Sequence, residues 1–215
     1  LDNITIAMDP EDANHIVKVD TEGHLVASIA TEEAIVEALL RAGTYVAKDA
    51  VGLDMDYANR TMTRIQEATG KSMGVDFDSY PMYGGRIKCN VADNGTINAF
   101  YGDPTYTEDG SNGQVMIYQP KFYYNRIIRV AEEMTKGKIV RHEALMISAI
   151  AQPGFKLAPI FEGDLDYVLL PAYDAGVADG KLTSIAGVKP KNNIPRDAAE
   201  AAANARGTGW HIMTM

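Results

Sequence analysis

Gln114-Val115-Met116-Ile117-Tyr118-Gln119-Pro120-Lys121-Phe122-Tyr123-Tyr124 is the clearest strand region in the chain. It is rich in β-branched and aromatic residues, and Pro120, with no N–H to give a ladder, marks an edge, a bulge or a break. Apolar residues recur on both of its faces, so two sides are expected to be buried. Around it the turn signals close in: Pro81, Gly84-Gly85, Asp93-Asn94-Gly95, Gly102-Asp103-Pro104 and Asp109-Gly110-Ser111-Asn112-Gly113 punctuate short segments of Tyr, Val and Ile. Such spacing predicts short strands and long ordered loops rather than a βαβ series.

Toward the C-terminus, residues 139–150 form a second strand region ended by Gln152-Pro153-Gly154-Phe155, and Asp166 to Leu170 a third. Pro195 stands where a first helical turn tolerates it, the alanine-rich run 198–205 is a strong helix former, and Gly207 is placed to cap it. Toward the N-terminus, Ile16-Val17-Lys18-Val19 and Leu25-Val26-Ala27 flank the turn Asp20-Thr21-Glu22-Gly23, a hairpin signature. Thr31 can cap a helix over 32–42, whose residues Ala34, Ile35, Ala38, Leu39 and Ala42 recur at helical spacing before Gly43. A second hairpin is expected from Leu53 to Tyr57 and Thr61 to Ile65, broken at Ala58-Asn59-Arg60. The fold class is therefore α+β. Residues 1–53 are expected to be a hairpin-helix connecting module, and residues 54–215, over which a family resemblance runs, the main domain.

The 215 residues, 46% apolar and 23% charged, suffice for one substantial core. A formal charge of −9 with scattered acids argues against a phosphate-backbone partner, so no nucleic acid is expected. No apolar run approaches the roughly 20 residues of a membrane span, and no signal-peptide order opens the chain; no membrane insertion is expected. The single Cys89 is expected in the core. The sequons at Asn3, Asn59 and Asn94 read as turn chemistry.

A search for chemistry finds no GxSxG, Walker loop, GxGxxG or zincin spacing, and the four histidines, at 15, 24, 142 and 211, fall in different segments. Carboxylates pair at Asp54/Asp56, Asp76/Asp78, Glu108/Asp109 and Asp164/Asp166, which read as solvated strand faces and loop tips. No cofactor is expected. Calcium is the one ion that the oxygen donors of Asp103, Asp109 and Asn112 would suit, although the spacing of an EF-hand loop is absent. Tyrosines dominate the aromatics, eleven against five Phe and one Trp, and Tyr80, Tyr83, Tyr101, Tyr106 and Tyr173 sit beside glycine or turn residues. Tyrosine in loops supplies rigid amphipathic contact area, which tilts the reading toward recognition and away from catalysis.

An ordered set of segments carries a resemblance: YANRTMTRIQEATG at 57–70, DFDSYPMY at 76–83, RIKCNVADNG at 86–95, YGDP at 101–104, DGSNGQVM at 109–116, PKFYY at 120–124, PGFK at 153–156 and RGTGW at 206–210. Over about residues 54–215 the chain resembles bacteriophage tail-fibre or receptor-binding proteins with a C-type-lectin-like domain, similar to phage tropism determinants and diversity-generating retroelement targets. The resemblance implies a non-enzymatic tail-tip protein of a phage or prophage virion, made in the host cytoplasm, that attaches to a glycan or protein receptor on the host surface. It also implies a homotrimer contacting other tail or fibre proteins. In that family further strands follow the Gly-Thr-Gly-Trp segment, whereas this sequence ends five residues after Trp210, so the domain is expected to be incomplete at its C-terminus. A cellular adhesin or carbohydrate-binding module is the alternative, and an enzyme of the formylglycine-generating type is a third that the single cysteine disfavours. Tyr101, Asp103, Tyr106, Asp109 and Asn112 are the expected receptor contacts, because that loop combines tyrosines with carboxylate and amide groups.

Overall fold

The structure is a computed structural model and describes residues 15–19, 25–29, 32–135 and 138–213. In chain order the elements are β1 (His15–Val19), β2 (Leu25–Ile29), α1 (Glu32–Ala42), β3 (Ala50–Asp56), β4 (Thr61–Gln66), α2 (Pro81–Gly84), β5 (Ile87–Val91) and β6 (Ile97–Phe100). Then follow β7 (Gln114–Pro120), β8 (Tyr123–Thr135), β9 (Lys138–Ser148), β10 (Lys156–Leu157), β11 (Tyr167–Pro171), β12 (Gly176–Ala178), β13 (Lys181–Thr183) and α3 (Arg196–Asn204). The chain is mostly β with a few short helices, in keeping with the α+β expectation. Every described strand pair is antiparallel. Thr31, the expected cap of α1, lies outside the described residues, as do Asn3 and His24.

The described residues gather into two compact units, one drawn from Leu1–Gly70 and Tyr123–Leu157, the other from Lys71–Phe122 and Ala158–Met215. The boundary expected between residues 53 and 54 falls within β3. That strand is held on both sides, by β4 and by β9, in a sheet ordered β10-β8-β9-β3-β4.

In the first unit α1 ends as its sequence predicts. Gly43 takes a φ of 73°, its N–H meets Leu40 O at 3.1 Å, and Thr44 N meets Leu39 O at 3.0 Å, which satisfies two of the carbonyls that a helix end orphans. Val36 and Leu40 pack on the sheet with Ala47, Ala50, Ile127, Ala144, Met146 and Phe155. At Gly52 the neighbouring strands come so close that a Cβ would stand 2.7 Å from Met146 Cγ and 2.8 Å from Leu145 O.

The second unit is built on a sheet ordered β11-β7-β5-β6. β7 lies between β5 and β11, so Gln114, Val115 and Met116 are all buried and the expectation of two covered sides is met. Pro120 is its last residue, opposite Tyr167. β5 alternates in the manner of a strand with two different tasks. Cys89 and Val91 point to a core of Met116, Ile97, Tyr118, Leu169 and Trp210, while Lys88 and Asn90 lie on the opposite side.

The chain's end is fastened to the turn after β5. Asp93 takes Lys181 at 2.7 Å and Arg206 at 2.6 Å through its carboxylate, and its carbonyl accepts the Trp210 indole N–H at 2.8 Å. The Lys181 bond leads the effects that hold the Asp93 carboxyl below its usual range, against the opposing pull of burial. Gly207 does not cap α3, as the sequence suggested. The cap is Ala205 in right-handed conformation, and Gly207 instead allows close approach: at φ 150° its Cβ would stand 2.7 Å from Asp93 O.

Leu40→Ala, which empties a side chain only 2% exposed, is expected to cost about 3 kcal/mol of stability, read as a lower urea midpoint. Burial pushes the Cys89 thiol up to about 11, so iodoacetamide at mildly alkaline pH should leave the folded protein unmodified and label it once denaturant is added.

Candidate functional site

The side of β5 turned away from the core carries the loop 101–112. Asn90, fully buried, donates its Nδ2 to Thr107 O at 2.8 Å and accepts Thr107 N–H on its Oδ1 at 2.8 Å, a two-point clamp on the backbone of one residue. Where the loop departs, Tyr101 N reaches Lys88 O at 2.8 Å and Asp103 accepts Phe100 N–H at 2.7 Å. Where it returns, Asp109 accepts Ser111 N–H and O–H at 2.9 and 2.6 Å, and Asn112 donates its Nδ2 to Thr105 O at 2.8 Å. Gly113, at φ 110°, passes so near Val91 that a Cβ would stand 2.6 Å from its carbonyl oxygen.

Under the loop, Glu108 gathers three donors. Tyr106 O–H and Lys88 Nζ each meet Oε1 at 2.9 Å, and Tyr173 O–H meets Oε2 at 2.5 Å. Lys88 also donates to the Tyr173 oxygen at 3.2 Å and lies 4.9 Å from the centre of its ring. Ser184 sets Tyr173 in place: its Oγ accepts the N–H groups of Ala172 and Tyr173, both at 3.1 Å, and donates to Val115 O at 2.7 Å.

The charges follow from this geometry. Burial works to raise the Glu108 carboxyl, but the bonds from Tyr173, Lys88 and Tyr106 outweigh it and hold the group below its usual range. Burial, then the bond to Glu108, raises Tyr106, and bonds to Glu108 and Tyr173 raise Lys88. Near neutral pH Glu108 is therefore a carboxylate, Lys88 an ammonium and Tyr106 a neutral phenol.

Arg86, Ile87, Lys88, Tyr101 and Glu108 line a shallow cleft of about 430 Å³ above this network. The Tyr101 side chain is 65% exposed, and its ring is braced edge-on against Tyr106 with centroids 5.4 Å apart at 80°. Such a cleft offers a fixed aromatic face beside fixed hydrogen-bonding groups, an arrangement for binding.

Of the residues expected from the sequence, Tyr101 and Tyr106 meet at the cleft, Tyr101 at its surface and Tyr106 beneath. Asp103, Asp109 and Asn112 are each engaged in bonds that shape the loop. Among the described residues no three His, Cys, Asp or Glu side chains gather as a metal site would need. Arg86 and Lys88 were not foreseen, and Glu108 was noted only as half of a carboxylate pair. The alternation Arg86-Ile87-Lys88-Cys89-Asn90 could have signalled a polar strand side facing the loop. Tyr80, grouped with the turn tyrosines, is buried.

The other charged clusters are fastenings. Asp54 accepts the Arg129 Nε–H at 2.9 Å and pairs with His142, while Arg129 also reaches the carbonyl of Arg41 at the end of α1. Asp164 and Asp166 both meet Lys121, at 2.9 and 3.0 Å. A cleft of about 510 Å³ at Asp93, Asn94, Arg206, Gly207 and Thr208 borders the fastened C-terminal segment.

Asn90→Ala leaves two peptide groups unpaired, at an expected loss of about 3 kcal/mol, visible as a lower urea midpoint and faster amide exchange at Thr107. Because the folded pKa of Glu108 lies below its ordinary 4.5, its contribution is complete above that value and is lost as pH falls through the folded pKa. Stability should therefore drop on acidification through that window, and Glu108→Gln should flatten the drop in acid-titrated thermal melts. No family model, curated protein or solved structure matches the chain.

Proposed function

We propose that the chain is a receptor-binding part of a bacteriophage or prophage tail-fibre tip, with a C-type-lectin-like domain, that attaches the particle to the surface of its bacterial host without catalysis. The observation that carries this reading is the rigid loop 101–112, which holds the 65% exposed Tyr101 over the Glu108, Lys88 and Tyr173 network. A loop whose polar groups are already bonded to one another loses little entropy on binding, and exposed tyrosine is a favoured contact residue. The ordered residue motifs from 57 to 210 supply the tail-protein context.

Shallow clefts bind weakly one at a time, and three copies on a fibre would raise the overall avidity steeply. The homotrimer is therefore part of the proposal. Light scattering coupled to size exclusion should give a mass three times that of the chain, and a monomer at all concentrations would refute trimerisation. Fluorescently labelled protein should stain a subset of strains in a bacterial panel, and Tyr101→Ala should reduce staining about tenfold, the loss of roughly one aromatic contact's free energy. Undiminished staining by a folded Tyr101→Ala protein would remove the cleft from the attachment surface.

A further inference from the structure

The cleft carries an unbalanced positive charge in an acidic protein. Lys88 is neutralised within the network by Glu108 at 2.9 Å, whereas among the described residues none makes an ion pair or hydrogen bond with the exposed Arg86 guanidinium. Arg86 immediately precedes β5 and Lys88 is the strand's second residue, and both line the cleft. The chain's formal charge is −9, so a local excess of cation at the mouth of a cleft favours an anion there against the repulsion of the chain's overall charge.

We infer that the cleft takes an acidic saccharide unit, a sugar ring that lies against Tyr101 and presents its carboxylate to Arg86. This inference rests on the attachment reading given above and names the class of its ligand. The two halves of such a ligand answer to separate features. The C–H face of a pyranose suits an exposed phenol ring that Tyr106 holds edge-on at 5.4 Å. A planar carboxylate suits the fork of an unpaired guanidinium, which binds it through two parallel hydrogen bonds. The Glu108 carboxylate lines the same cleft and can accept sugar hydroxyls, and it disfavours a second anion deeper in. One carboxylate per ring, at the Arg86 end, is the pattern that fits.

The test is isothermal titration and affinity electrophoresis of the full chain against polygalacturonate, with dextran as the neutral comparison. Bacterial-panel staining is run in parallel. Polygalacturonate should bind, more weakly as salt is raised, and dextran should bind at least about tenfold less well, the worth of one charge-assisted contact. Arg86→Gln should abolish that preference, Arg86→Lys should restore part of it, and Tyr101→Ala should weaken both polymers. Arg86 is exposed and unbonded, so unchanged thermal melts are expected for its variants. Equal binding of both polymers, or binding of polygalacturonate indifferent to Arg86→Gln, overturns the inference and leaves attachment standing. Binding of cells but of neither polymer also overturns it, and points to a protein or other receptor. Binding of neither cells nor polymers overturns both readings.

Discussion

One buried amide decides the shape of the loop over 101–112 and of the cleft beneath Tyr101. Asn90 sits in β5 with no exposed area, and both ends of its side chain are satisfied by the backbone N–H and carbonyl of a single residue, Thr107. A buried amide left unpaired is costly, so the strand cannot keep Asn90 in place unless the loop comes to meet it. The loop in turn brings Glu108 under Lys88, Tyr106 and Tyr173, and that network supports the floor from which Tyr101 projects. Removing the apolar side of β5, where Cys89 and Val91 meet Met116 and Trp210, would loosen the same clamp from behind. The core and the loop are two sides of one five-residue strand.

Elements whose signal is local were legible in the sequence. The helix over 32–42 was bounded by its own periodicity and by Gly43, and the hairpin across Asn59 by a turn in which Asp56 accepts Asn59 N–H at 3.0 Å. Such signals depend on residues a few positions apart. The sheet orders depend on partners far away: β3 pairs with β9 about ninety positions later, and nothing in Ala50–Asp56 names that partner. The boundary at 53/54 was drawn where the family resemblance begins, and β3 runs through it.

The site was legible in outline and obscure in its roles. A loop dense in Tyr, Asp and Asn announced itself, and Tyr101 is its exposed member. Asp103, Asp109 and Asn112 also brace the loop's own turns, a role that sequence cannot distinguish from that of a polar group aimed outward. Lys88, Glu108 and Tyr173 come from three separate stretches, and only tertiary structure joins them. Gly207 shows the same limit in miniature: its position after an alanine-rich helix suggested a cap, whereas its use is to let Arg206 and Trp210 reach Asp93.

The Asn90 clamp engages only the backbone of Thr107, its N–H and its carbonyl, and those groups are the same in every residue but proline. The fastening is therefore indifferent to the identity of the side chains it holds up. Positions such as Tyr101 can be exchanged without touching it, so the scaffold behaves as a socket that accepts new tips. The exposed positions that can change are thereby separated from the fastening that cannot.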